Sequence, residues 1–63
     1  MRTYEVIKRL RDAGWNIVRI NGSHRILANG SLRGVISLGD REMVGVKMLR
    51  KMEKQFGVYL VQD

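Results

Sequence analysis

The stretch that decides the fold is Trp15-Asn16-Ile17-Val18-Arg19-Ile20-Asn21-Gly22-Ser23-His24-Arg25-Ile26-Leu27-Ala28-Asn29-Gly30-Ser31-Leu32-Arg33-Gly34-Val35-Ile36-Ser37-Leu38. Runs rich in β-branched and aromatic residues alternate with two identical Asn-Gly-Ser tripeptides. Such runs read as strands. Asn-Gly signals a two-residue hairpin turn, because both residues tolerate positive φ. The stretch therefore predicts an antiparallel meander with strands near residues 15–20, 23–28 and 31–38. Gly34, inside the third strand, marks a bulge or a close approach by another element.

With Asn21-Gly22 and Asn29-Gly30 as the turns, Arg19 opposes His24, Ile17 opposes Ile26, and His24 opposes Val35. Opposed residues share a face. One face then carries Val18, Ile20, Leu27, Leu32, Ile36 and Leu38 and is expected to meet the core. The other carries Trp15, Ile17, Arg19, His24, Ile26, Arg33, Val35 and Ser37. His24, the single histidine of the chain, falls on the middle strand of this uncovered face. Arg19 lies directly across from it, Arg33 on the diagonal, and Arg25 points the other way. A half-apolar open face suits a partner protein, self-association into a homo-oligomer, or unpaired bases.

Upstream, Val6, Ile7, Leu10 and Ala13 recur at helical spacing, with Tyr4 extending the stripe. Thr3 is the expected N-cap, Glu5 complements the first turn and precedes Arg9 by four residues, and Gly14 suits the end. This predicts a helix over residues 4–13. Downstream, Gly39-Asp40 ends the third strand, and residues 40–44 read either as a loop or as an early helical turn. Val46, Leu49, Met52 and Phe56 then step by three or four, predicting a helix over residues 44–56 that stops at Gly57. Its opposing face, Lys47, Arg50, Lys51 and Lys54, is either solvated or a nucleic-acid contact. Met43, Met48 and Met52 fill the core or form an adaptable surface. The apolar tail Val58-Tyr59-Leu60-Val61 crosses the first helix, joins a sheet edge or meets a partner. The order is α-β-β-β-α. The fold class is α+β, a three-stranded antiparallel sheet with two helices on one face, in a single domain spanning residues 1–63.

A chain of 63 residues buries only about 60% of its unfolded surface, so the core is thin. There is no cysteine, hence no disulfide and no thiolate nucleophile. One histidine and six scattered carboxylates make no metal-ligand cluster, so neither metal nor cofactor is expected. No apolar run approaches the ~20 residues of a membrane span, and no signal-peptide pattern follows Arg2. The expectation is a soluble, cytoplasmic protein that starts at its own methionine and avoids the membrane. Twelve Lys+Arg face six Asp+Glu, for a net charge of +6 and a pI near 10.6. Eight of the twelve are arginine, the better fork for phosphate oxygens. A small domain this basic points to nucleic acid.

One histidine among arginines carries a specific chemistry. Imidazole titrates near neutrality and transfers protons under cellular conditions. Guanidinium groups bind phosphate through two bonds and stabilise charge growing on it. RNA brings its own nucleophile, the 2′-hydroxyl beside the scissile phosphate. Metal-independent strand cleavage is thus within this sequence's means. Ser23 offers a hydrogen bond and Gly22 close backbone approach. No serine elbow or acid behind His24 supports a nucleophilic triad.

Glu5-Val6-Ile7-Lys8-Arg9-Leu10, then Gly14-Trp15, then Arg19 and Gly22-Ser23-His24, resemble the HicA mRNA interferases, toxins of HicA–HicB toxin–antitoxin modules. The resemblance covers residues 6–38 well and 49–57 loosely. It implies a fold like double-stranded-RNA-binding domains, in agreement with the order above. It also implies ribosome-independent endoribonuclease cleavage of mRNA, a catalytic role for His24 with Gly22 and Ser23 as its lead-in, and a HicB-like antitoxin covering the site. The family often has a proline and a further histidine after the third strand, where this chain has Leu38-Gly39-Asp40, and its final helix is about two residues shorter. Arg19, Arg33, Lys47 and Lys51 complete the expected RNA contacts. The competing readings are a non-catalytic RNA-binding module on the same fold and a purely protein-binding domain.

Overall fold

A computed structural model describes residues 1–61; Gln62 and Asp63, at the end of the tail, lie outside the described residues. The elements are α1 (Thr3–Asp12), β1 (Asn16–Asn21), β2 (His24–Asn29), β3 (Leu32–Ile36) and α2 (Val46–Phe56). The three strands form one antiparallel sheet in the order β1-β2-β3. Both helices supply the core on one of its faces: Val6, Ile7 and Leu10 from α1, Leu49, Met52 and Phe56 from α2, packed with Leu27 and Ile36 of the sheet. The expected α-β-β-β-α architecture is what the chain adopts.

α1 starts one residue earlier than its apolar stripe suggests. Arg2, not Thr3, is the N-cap, and its amide donates to Glu5 Oε1 at 2.8 Å. Thr3 is instead fully buried. Its amide and hydroxyl both donate to the Glu42 carbonyl, at 2.9 and 3.0 Å. The segment before α2 is therefore not a helical turn. It pairs with the N-terminus, through the Arg2–Met43 bridge and the Val44 amide on the Met1 carbonyl, and buries Val44.

Both hairpin turns lie one residue later than Asn-Gly would place them. The pairs Asn21–His24 and Asn29–Leu32 make Gly22-Ser23 and Gly30-Ser31 the two-residue loops. A turn with glycine first needs positive φ only there. Gly22 and Gly30 have φ of 64° and 62°, and among the described residues none other than glycine has positive φ. The asparagines are thereby spared the left-handed region and remain in their strands.

A bulge at Val18 shifts β1 again, so that Ile17 pairs with Leu27 while Arg19 pairs with Ile26. This overturns the expected face of the start of β1, while Arg19 stays on the open face and Ile20, opposite Arg25, on the helix side, as expected. Ile17 turns to the core and is partly buried, whereas Val18 and Ile20 are exposed. Leu32, expected inside, is also exposed, at the outer end of β3. Trp15 is not on the open face. It is buried with its ring edge-on to Phe56, 4.9 Å between centroids, and its indole N–H donates to the Phe56 carbonyl at 3.2 Å. Gly34 is a close approach rather than a bulge. A Cβ there would sit 2.3 Å from Phe56 Cε1.

Residues 58–61 of the tail form no strand. Leu60 is fully buried in the core, and the Leu60 and Val61 amides both donate to Glu53 Oε2, at 2.8 and 2.9 Å. These two bonds hold the Glu53 carboxyl below its ordinary value, with a smaller contribution from Arg50.

Candidate functional site

His24 is the first residue of β2 and is exposed. The tight Gly22-Ser23 turn places it at the very end of the sheet. Its cross-strand neighbour is Asn21, not Arg19. Arg19 opposes Ile26, two residues further along β2, and so stands diagonally from His24. Diagonal partners on one face lie about 7–8 Å apart at the backbone, within reach of a long side chain. Asn21, Arg19 and His24 thus form one exposed polar corner on the face that the helices leave open.

Arg33 does not join this corner. It opposes Ala28, four residues along β2 from His24, and its guanidinium donates to the Gly30 and Leu32 carbonyls at 2.8 and 2.9 Å. The expected diagonal to His24 is lost because the pairing of β2 with β3 runs one residue later on each strand. Arg25 faces the helix side, as expected. It opposes Ile36, pairs with Asp40 at 2.5 Å and donates to the Leu38 carbonyl at 3.0 Å. Its charge is spent on holding the β3–α2 loop.

Lys47 and Lys51 lie on exposed positions of α2. Lys51 borders a groove between α2 and β3 that also involves Val35, Ser37, Met48 and Gln55. Among the methionines, Met52 is core, while Met43 and Met48 are exposed. Among the described residues, no three His, Asp or Glu side chains gather as metal ligands, and no helix is long and apolar enough to cross a membrane.

The model of the HicA toxins of bacterial toxin–antitoxin systems matches residues 4–58. This chain belongs to the HicA toxin family. The match runs from α1 through α2 and includes the whole Asn21, Arg19 and His24 corner. No curated protein and no solved structure matches the chain. As a HicA toxin, the protein is one half of a toxin–antitoxin pair, and its partner is an antitoxin.

Asn21 is the residue that reading the sequence misses. Asn-Gly looks like turn chemistry, and only the observed register turns Asn21 into the direct neighbour of His24. The signal was present in Ser23, since Gly-Ser is itself a hairpin dipeptide.

Proposed function

We propose that this HicA protein is a cytoplasmic endoribonuclease that cleaves mRNA without a metal ion, with His24 as the proton-transfer residue. The observation that carries this reading is the exposed His24 at the Gly22-Ser23 turn, with Arg19 on the diagonal, in a chain of the HicA family. Neutral imidazole removes the proton of the RNA 2′-hydroxyl. The 2′-oxygen bonds to phosphorus and the bond to the 5′-oxygen breaks, leaving a 2′,3′-cyclic phosphate and a 5′-hydroxyl. Arg19 donates to the non-bridging oxygens as charge grows on them. One imidazole cannot accept and donate in the same concerted step, so the departing 5′-oxygen takes its proton from solvent, which reaches this open corner. Gly22 admits the backbone closely and Ser23 contributes a hydroxyl. Lys47 and Lys51 hold phosphates further along the strand. Arg33, at the other end of the sheet, meets a different nucleotide from the one cleaved. A HicB-like antitoxin silences the toxin by covering this face.

The test is expression of wild type and His24→Ala in a bacterium, following growth and mRNA integrity. Wild type arrests growth and fragments mRNA. Purified His24→Ala cleaves more slowly by about 10²–10⁴-fold, the usual share of a general acid–base group. Equal arrest and equal cleavage by both forms would remove His24 from the mechanism. RNA binding by both forms with cleavage by neither would make the chain a binding module.

A further inference from the structure

The groove between β3 and α2 has a definite relation to His24. The last pair of β2 with β3 is Arg25–Ile36. His24 comes just before this pair on β2, and Ser37, which lines the groove, comes just after it at the end of β3, so the groove opens at the same end of the sheet as His24. Neighbouring strands are about 4.8 Å apart, which puts the groove within one nucleotide of the histidine. Its walls are Val35, Ser37 and Leu38 on one side and Met48, Lys51 and Gln55 on the other. The Val35 amide donates to Gln55 Oε1 at 2.8 Å, which ties the two walls together.

Three features select the occupant. The surface inside is mainly apolar, and Met48 and Val35 remain exposed there. Thioether sulfur and aliphatic carbon accept the face or edge of a flat aromatic ring. No carboxylate is among the lining residues, and Lys51 stands at the rim with Lys47 and Lys54 on the same helix, so a polyanion is favoured. The volume is about 250 Å³, below the roughly 300–1,000 Å³ of sites for drug-sized ligands. That suits one ring and not a helix or a strand. We infer that the groove is a subsite for a single unpaired base of the RNA strand that passes His24, with Met48 and Val35 against the base and Lys51 on the adjoining phosphate. The inference rests on the ribonuclease reading and adds to it a determinant of where the strand is cut.

The experiment compares cleavage of a dinucleotide, which spans only the scissile bond, with that of tetranucleotides carrying each of the four bases next to it. In wild type kcat/KM rises by about tenfold on lengthening, the scale of one base contact, and depends on the added base. Met48→Ser abolishes the rise and flattens the base preference. Lys51→Gln diminishes the rise, and Lys54→Gln, on the same helix but outside the groove, retains it. Met48 is 42% exposed, so Met48→Ser melts close to wild type, and a melting curve checks this. The same rise in wild type and Met48→Ser overturns the subsite. So does loss of antitoxin binding by Met48→Ser with its RNA length dependence intact, since the groove is then a protein site. A non-cleavable 2′-O-methyl tetranucleotide is titrated in parallel. Weaker binding by Met48→Ser, with no cleavage by wild type, keeps the subsite and removes the ribonuclease; equal binding in that case removes both.

Discussion

Gly22 and Gly34 are both indispensable glycines, for opposite reasons. At Gly22 nothing lies within 4 Å of a Cβ, but φ is 64°. A side chain there meets its own backbone, at about 1–2 kcal/mol. Gly22→Ala is therefore expected to lower the urea-unfolding free energy by about that amount, whereas D-alanine at the same position, introduced by chemical synthesis, leaves it unchanged or raises it. An equal loss with both enantiomers would mean that φ is not the cause. At Gly34 the obstacle is the Phe56 ring, 2.3 Å from a Cβ. Overpacking of this kind costs about 1–3 kcal/mol. Gly34→Ala should lose that much in the wild-type background and less beside Phe56→Leu, which a double-mutant cycle measures. The glycine in Asn-Gly-Ser also explains why the register is hard to read. The tripeptide is compatible with two turns one residue apart, and what separates them is whether asparagine must also adopt positive φ. Nothing in Ile17-Val18-Arg19 marks the bulge, so the exposure of Val18 and the inward turn of Ile17 come only from the folded sheet. His24 is legible as an exposed residue after a turn, but its neighbour Asn21 is not.

Among the elements, the two helices and three strands are legible because apolar spacing of two or of three to four survives in a chain without proline or low-complexity stretches. The tail is not, because its role depends on a single polar side chain. Val58-Tyr59-Leu60-Val61 has strand composition, yet Leu60 plugs the core because Glu53 of α2 accepts from the Leu60 and Val61 amides. The Glu53 carboxyl lies below its ordinary value of 4.5, first through the Val61 bond and then through the Leu60 bond. A carboxylate whose native pKa is depressed stabilises the fold fully above its unfolded value, and that contribution disappears as pH falls through the lower native one. The melting temperature is thus expected to hold down to about the ordinary carboxylate range and then to fall. Glu53→Gln should melt lower than wild type near neutrality and lose less on acidification. If the two forms lose stability in parallel below that range, Glu53 is not what latches the tail.

On the scale of the whole molecule, a charge of +6 overstates what is available to a ligand. Arg25 is engaged by Asp40 and the Leu38 carbonyl, Arg2 by the Arg41 carbonyl, and Arg50 lies 3.5 Å from Glu53. Arg19 is exposed at the histidine corner of the open face, and Lys47 and Lys51 are exposed on α2, Lys51 in the groove beside β3. A single strand held across that face by three or four cations releases as many counterions, which sets a slope of about −2 to −3 for log affinity against log salt. His24→Ala, expected to bind RNA and to cut it only slowly, is the form in which to measure it, with a non-cleavable single strand. In that background Arg19→Gln and Lys51→Gln should each flatten the slope by about 0.7. Arg25→Gln should leave the slope as it is and instead lower the melting temperature, because its guanidinium holds the β3–α2 loop and not a phosphate. A slope flattened as much by Arg25→Gln as by Arg19→Gln would mean that RNA binding reads the net charge of the molecule and not the open face.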